Sequence, residues 1–129
     1  MILGEFSATL TDQFRISLPK KIREQISGIE LVLSKGFDGC IFGYQKDIWE
    51  KVSEDELNKP VTTEDGRKIR RQLFAAAEVV MFDEQGRFVL SQTLRKYARL
   101  EREIVLIGAG DHFEIWEKNI WAEYLKKLN

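Results

Sequence analysis

Laid over itself at an offset of 72 residues, the chain falls into register without a gap, and no other feature limits its fold as strongly. Gln13 meets Gln85, Arg15 meets Arg87, Leu18 meets Leu90 and Arg23 meets Arg95. Further on, Gly36 meets Gly108, Lys46 meets Lys118, and Ile48-Trp49 meets Ile120-Trp121. Ile22 with Leu94, Val32 with Ile104, Tyr44 with Trp116 and Asp47 with Asn119 are softer matches. Tryptophans and arginines paired in this way indicate a duplication.

Each copy reads alike. Phe6 to Leu10 and Val79 to Phe82 have strand character, and the polar turns Thr11-Asp12-Gln13-Phe14 and Asp83-Glu84-Gln85-Gly86 follow. The β-prone runs Arg15 to Leu18 and Arg87 to Leu90 come next. Pro19 suits the first turn of a helix with Ile22 and Ile26 on its apolar side, and Ser27-Gly28 would stop it. A hairpin is expected over Leu31–Leu33 and Cys40–Phe42, mirrored by Ile104–Ile107 and Phe113–Trp116. A last helix would begin at the N-caps Asp47 and Asn119, with Trp49 and Val52, or Trp121, Tyr124 and Leu125, as its apolar stripe. Between the copies, Pro60 marks a loop into a helix from about Glu64 to Ala77, with Ile69 and Leu73 inward.

The predicted organisation is a first repeat over 1–57, a linker and connecting helix over 58–77, and a second repeat over 78–129. A unit of about 55 residues is marginal alone, so the copies should share one core and the whole should oligomerise.

With 43% hydrophobic and 32% charged residues in 129, the chain has the balance of a globular protein rather than a disordered one. No apolar run approaches the ~20 residues of a membrane span, and Met1 to Phe6 lack the pattern of a signal peptide. A cytoplasmic protein is expected, and one cysteine excludes an internal disulfide. The net charge of −1 argues against nucleic-acid binding through bulk charge. Any DNA contact must come from a local basic patch, repeated by assembly.

Three stretches of the first half resemble the MraZ family: Met1 to Phe6, Arg15-Ile16-Ser17-Leu18-Pro19 with Arg23, and Gly36 to Phe42. Ala75 to Glu78, Asp83 to Arg87, Leu94 to Ala98 and Ile107 to Asp111 resemble its second half. The resemblance implies an α+β fold of two tandem swapped-hairpin, AbrB-like half-domains related by a pseudo-twofold, in a ring-forming subunit. It also implies a nucleoid-associated regulator that binds double-stranded promoter DNA at repeated boxes of the division and cell-wall gene cluster. In the family an Asp-x-x-x-Arg turn in each half forms part of the DNA-binding face. The second half has it as Asp83 to Arg87, whereas the first has Thr11 in place of Asp and Phe14 in place of Gly. Ser91 replaces the second half's usual Pro. Phe14 cannot take positive φ cheaply, so the first turn should be wider or rearranged and Arg15 less tethered.

Arg15 and Arg87 can present their forks to phosphate or to guanine, and the rival role is an internal pair with Asp12 or Asp83. Gln13 and Gln85 could reach base edges or serve as ordinary turn polarity. Lys20 and Lys21, next to Arg15, would thicken the positive patch or simply aid solubility. Arg23 and Arg95 read as structural, paired with carboxylates such as Glu24 or Glu101 or bridging subunits. Arg67-Lys68-Arg70-Arg71 reads as a solvated helix face, with a second DNA surface as the alternative.

Cys40 and His112 occupy equivalent positions and should therefore point from separate copies rather than converge. With no second Cys or His for a zinc site and no phosphate loop, neither an enzyme nor a cofactor, metal or small-molecule substrate is expected. The rival to a DNA-binding regulator is an AbrB-type, antitoxin-like module that holds a partner protein.

Overall fold

The computed structural model describes residues 1–128. The first half runs β1 (Glu5–Thr9), β2 (Arg15–Ser17), α1 (Lys20–Arg23), β3 (Glu30–Lys35), β4 (Ile41–Gln45) and α2 (Lys46–Leu57). The connecting helix α3 (Glu64–Phe74) leads to β5 (Glu78–Met81), β6 (Arg87–Val89), α4 (Gln92–Tyr97), β7 (Glu103–Gly108), β8 (Phe113–Glu117) and α5 (Lys118–Leu128). The fold is mixed α+β. A six-stranded antiparallel sheet has the order β1-β7-β8-β4-β3-β5, and β2 and β6 form a separate two-stranded ribbon.

The two halves exchange their first strands. β1 pairs with β7 of the second half and β5 pairs with β3 of the first. Equivalent residues meet at two places: Ile16 opposite Phe88 in the ribbon, and Phe42 opposite Glu114 where β4 meets β8. A local twofold therefore passes through both pairs.

The core between them draws on both halves in matched pairs, including Leu10 and Phe82, Ile16 and Phe88, Leu18 and Leu90, and Ile22 and Leu94. Burying such a side chain contributes about 1.5–3 kcal/mol, so neither half keeps its share of that stabilisation alone. Where the repeat is unequal, the packing compensates. Gly43 lies opposite Phe113, and a side chain at Gly43 would run into that ring.

The gapless offset does not survive in the third strands. Their innermost residues are Leu31 and Leu33 in β3, and Ile104 and Leu106 in β7, an offset of 73. Ala8 pairs with Ile104, whereas its counterpart Val80 pairs with Leu31 rather than Val32. The extra residue before β7 is recovered in the hairpins. Lys35 pairs with Ile41 around a five-residue turn, Gly36 to Cys40, and Gly108 pairs with Phe113 around the four residues Ala109 to His112. A one-residue slip turns every side chain to the other face, so burial fixes the true alignment.

The helix ends also differ from expectation. Pro19 stands before α1 rather than inside it, and α1 is a single turn followed by bends down to Gly28 at φ 77°. α2 and α5 begin one residue ahead of Asp47 and Asn119. The residue before α5, Glu117, accepts from Ile120 N–H at 2.8 Å, and Gln45 occupies the cap of α2. Thr63 caps α3 through Gly66 N–H, and α3 stops at Phe74, short of Ala77. Leu73 is buried and Ile69 partly so, while Leu125 of α5 is exposed.

Candidate nucleic-acid interface

Alternation decides what the β2–β6 ribbon shows to solvent. Ile16 and Phe88 point into the core, so Arg15, Ser17, Arg87 and Val89 all stand on the outer face. The ladder sets Arg15 opposite Val89 and Ser17 opposite Arg87. The ribbon continues past the strands through Leu18 N–H to Gly86 O and Leu90 N–H to Phe14 O, both 2.9 Å. Each end of the ribbon thus abuts the other half's turn.

The two turns share one backbone, against the expectation that the first would be wider. Phe14 N–H donates to Thr11 O and Gly86 N–H to Asp83 O, both at 2.9 Å. Thr11 N–H donates to Arg15 O and Asp83 N–H to Arg87 O, both at 3.0 Å. Phe14 takes φ 62° where Gly86 takes 78°. Thr11 substitutes for the carboxylate toward the backbone, since its Oγ1 accepts from Arg15 N–H at 3.0 Å as Asp83 Oδ1 accepts from Arg87 N–H at 2.9 Å.

The side chains differ as expected. Asp83 Oδ2 accepts from Arg87 Nε at 2.8 Å, and its other oxygen also accepts from Gln85 N–H. The backbone N–H of Arg87, followed by its guanidinium, holds the Asp83 carboxyl below its usual range. No hydrogen bond or ion pair engages the Arg15 side chain among the described residues. Arg87 is therefore aimed by its carboxylate, while Arg15 is free. Gln13 and Gln85 are exposed at the two turn tips.

Arg23 and Arg95 hold the turns from below. Each donates Nε to a backbone carbonyl of its own half, Leu18 O at 3.1 Å and Leu90 O at 3.2 Å. Arg23 also reaches Glu84 O at 3.0 Å, and the Arg95 guanidinium lies 3.5 Å from the Phe14 ring centroid. Their role is structural, but their partners are carbonyls and an aromatic ring in place of the expected carboxylates. Repeat matching found both arginines; the stacking on Phe14 left no signal in the sequence.

This geometry moves Lys20 and Lys21. They follow Ser17, which faces Arg87, and Arg23 of the same helix grips the second turn. Both lysines are exposed on the Arg87 side of the ribbon, rather than beside Arg15. Lys20 keeps only a loose 4.0 Å contact with Glu24, which is worth little at such exposure. The outward placement of Ser17 and Val89 escaped the sequence reading, although alternation around Ile16 and Phe88 carries it.

The cluster on α3 divides. Arg70 donates to Leu57 O and Lys59 O, and Arg67 to Val61 O, so these two secure the chain leaving α2. Lys68 pairs with Glu64 at 3.3 Å, which leaves Arg71 as the cation of the four whose side chain makes neither a hydrogen bond nor an ion pair among the described residues. The expected solvated face holds for only part of the run.

Cys40 and His112 do converge, because the local twofold runs close to both. His112 Nε2 lies 2.9 Å from Glu114 and Nδ1 2.7 Å from Asp111. The Cys40 thiol borders the same Glu114 and donates to Phe37 O at 3.2 Å. Burial, and after it the nearby Glu114 carboxylate, push that thiol far above its ordinary pKa and hold it in the protonated form. No group of three or more His, Cys, Asp or Glu among the described residues is placed to hold a metal ion. No described helix is long and apolar enough to cross a membrane.

Residues 1–72 and 73–129 each match the family model described as "MraZ protein, putative antitoxin-like". Transcriptional regulator MraZ of Lactobacillus delbrueckii subsp. bulgaricus is 40% identical over 129 residues, spanning 100% of this chain and 90% of the relative. The proteins of that name from Caldanaerobacter subterraneus subsp. tengcongensis and Roseiflexus castenholzii are 36% and 33% identical, over the same shares. With both halves matched in order and the whole chain aligned, this chain belongs to the MraZ family.

Proposed function

We propose that this protein is a sequence-specific, DNA-binding transcriptional regulator that reads promoter boxes with the β2–β6 ribbon and its two turns. The observation behind this reading is the common outer face of Arg15 and Arg87, flanked by Gln13, Gln85, Lys20 and Lys21. A two-stranded ribbon fits the major groove, and an arginine fork matches the O6 and N7 of guanine. Asp83 serves by aiming Arg87 rather than by touching DNA. The naming of the relatives as transcriptional regulators supports the class. The family resemblance extends it to the repeated boxes of the division and cell-wall gene cluster, on the nucleoid.

The same reading treats 1–57 and 78–129 as swapped-hairpin half-domains of AbrB type, joined by 58–77; the exchange of β1 and β5 supports it. It assembles the subunits into a closed ring. Val79 at 55% and Met81 at 65% exposure on the edge strand β5 supply apolar surface for such contacts. A ring also answers the charge objection, since weak faces on a near-neutral subunit gain strength when several engage one DNA. The matching family's antitoxin-like description favours a second reading, a module that grips a partner protein. A gel shift on the DNA upstream of the protein's own gene decides between them. Specific retardation that falls steeply with salt supports the regulator, and no retardation removes it.

A further inference from the structure

The two ends of the ribbon are not equivalent, although the repeat makes their arginines so. Ser17 and Val89 hold matching positions, both on the outer face, and they are chemically opposite. Beside Arg87 stand Ser17 and the aiming carboxylate Asp83, and the chain leaving Ser17 carries the exposed lysines Lys20 and Lys21 at the start of α1. Beside Arg15 stand Val89 and Thr11, and α4 begins there with Gln92-Thr93 in place of lysines. Val89 is 51% exposed, the branched apolar group among the outward strand residues Arg15, Ser17, Arg87 and Val89. Its neighbours along the chain, Phe88 and Leu90, are in the core, so its own outward position is set by the pleat and not by packing. Opposite residues on one face of an antiparallel pair have Cβ atoms roughly 5 Å apart, which puts the isopropyl group within reach of the same bases as Arg15.

We propose that Val89 is a specificity-determining residue of the ribbon, packing its isopropyl group on the C5-methyl of a thymine beside the base read by Arg15. The inference rests on the DNA-reading role proposed above. Among base edges in the major groove, the thymine methyl is the one apolar feature, and apolar side chains read it by contact. Ser17 offers no equivalent surface, so the Arg87 end reads its bases by hydrogen bonds alone. A pseudo-symmetric subunit thereby reads an asymmetric box and acquires a direction along the DNA.

The test uses full-length protein and duplexes of the DNA upstream of its own gene, with each thymine of the footprint replaced in turn by deoxyuridine, which lacks the methyl. The wild type should lose roughly three- to five-fold in affinity at a thymine position, the effect of one buried methyl. Val89→Ser should bind every duplex alike, Val89→Thr should keep part of the preference, and Ser17→Val should create a second methyl-sensitive position at the other end. Melting and sizing of the variants should match the wild type. A wild type indifferent to every replacement, or a Val89→Ser protein with unchanged methyl preference, overturns the inference. So does a Val89→Ser protein that loses assembly, which would make Val89 a subunit contact. Arg15→Ala and Arg87→Ala separate the two levels. If both bind as well as the wild type, the DNA-reading face is itself wrong; if both fail while methyl replacement is silent, only the role of Val89 is wrong.

Discussion

The guanidinium of Arg95 lies 3.5 Å from the centroid of the Phe14 ring, and Phe14 is held at φ 62°, where a side chain is strained. A residue of the second half thus stabilises the turn of the first. Positive φ costs a non-glycine residue about 1–2 kcal/mol, and an exposed cation–π contact returns about 0.5–1 kcal/mol of it. Phe14→Ala keeps the strain and loses the ring, so it should be the least stable variant at this site. Phe14→Gly removes both and should lie within about 1 kcal/mol of the wild type, once glycine's extra freedom in the unfolded chain is counted. Thermal melts check the order, and Phe14→Ala melting above Phe14→Gly would contradict it.

Gly43 and Phe113 form a size pair across the local twofold. Gly43→Ala should destabilise by about 1–3 kcal/mol through overpacking, and Phe113→Leu should recover part of the loss when combined with it. Denaturant unfolding of the two single variants and the double would show the coupling; strictly additive losses would deny the contact.

His112, the one histidine of the chain, has both ring nitrogens on carboxylates and stacks on Tyr44 at 5.0 Å. Burial disfavours its charged form, but the hydrogen bonds to Glu114 and Asp111 outweigh burial, and its pKa stands above the ordinary 6.5. A raised folded value means stability that is fully present below pH 6.5 and is lost as pH rises through the folded pKa. Wild type should therefore lose melting temperature above pH 6.5 more steeply than His112→Gln. A single imidazole NMR signal titrating at or below 6.5 would reject this.

Much of the architecture is legible in the sequence because apolar alternation and turn residues recur in both halves. The strands around Ile16 and Phe88, the helices after Tyr44 and Trp116, and the equivalence of Arg15 with Arg87 all follow from it. Three things are hidden. The slip that sets Leu31 against Ile104 is masked, because both third strands are apolar on successive residues and an offset of 72 or 73 fits either. The partners that Arg23 and Arg95 find in the opposite half, and the side on which Lys20 and Lys21 lie, depend on the pairing of β2 with β6 across the halves, which no local pattern encodes. The first turn keeps its shape because the Thr11 hydroxyl and Arg95 meet its needs, a compensation spread over residues far apart.

Asp83 separates aiming from contact. Asp83→Asn keeps an acceptor for the Arg87 backbone but gives up the ion pair, so Arg87 should lose its fixed direction. Affinity for promoter DNA should fall less than in Arg87→Ala, with discrimination between boxes weakened more than overall binding. Because its folded pKa is lowered, the contribution of Asp83 to stability is present above the unfolded pKa and fades as pH falls through the folded one. Equal losses in Asp83→Asn and Arg87→Ala, measured by DNA titration, would deny the distinction.

The most direct test titrates wild type, Arg15→Ala and Arg87→Ala against the DNA upstream of the protein's own gene, with melting and sizing run in parallel. Each arginine should contribute roughly 1–3 kcal/mol per site if it reads a base, and the two losses should combine in the double variant. Both side chains are exposed and neither is in the core, so melting and assembly should be unchanged. Full binding by the double variant would contradict the account. So would a binding loss that appears only together with early melting or dissociation.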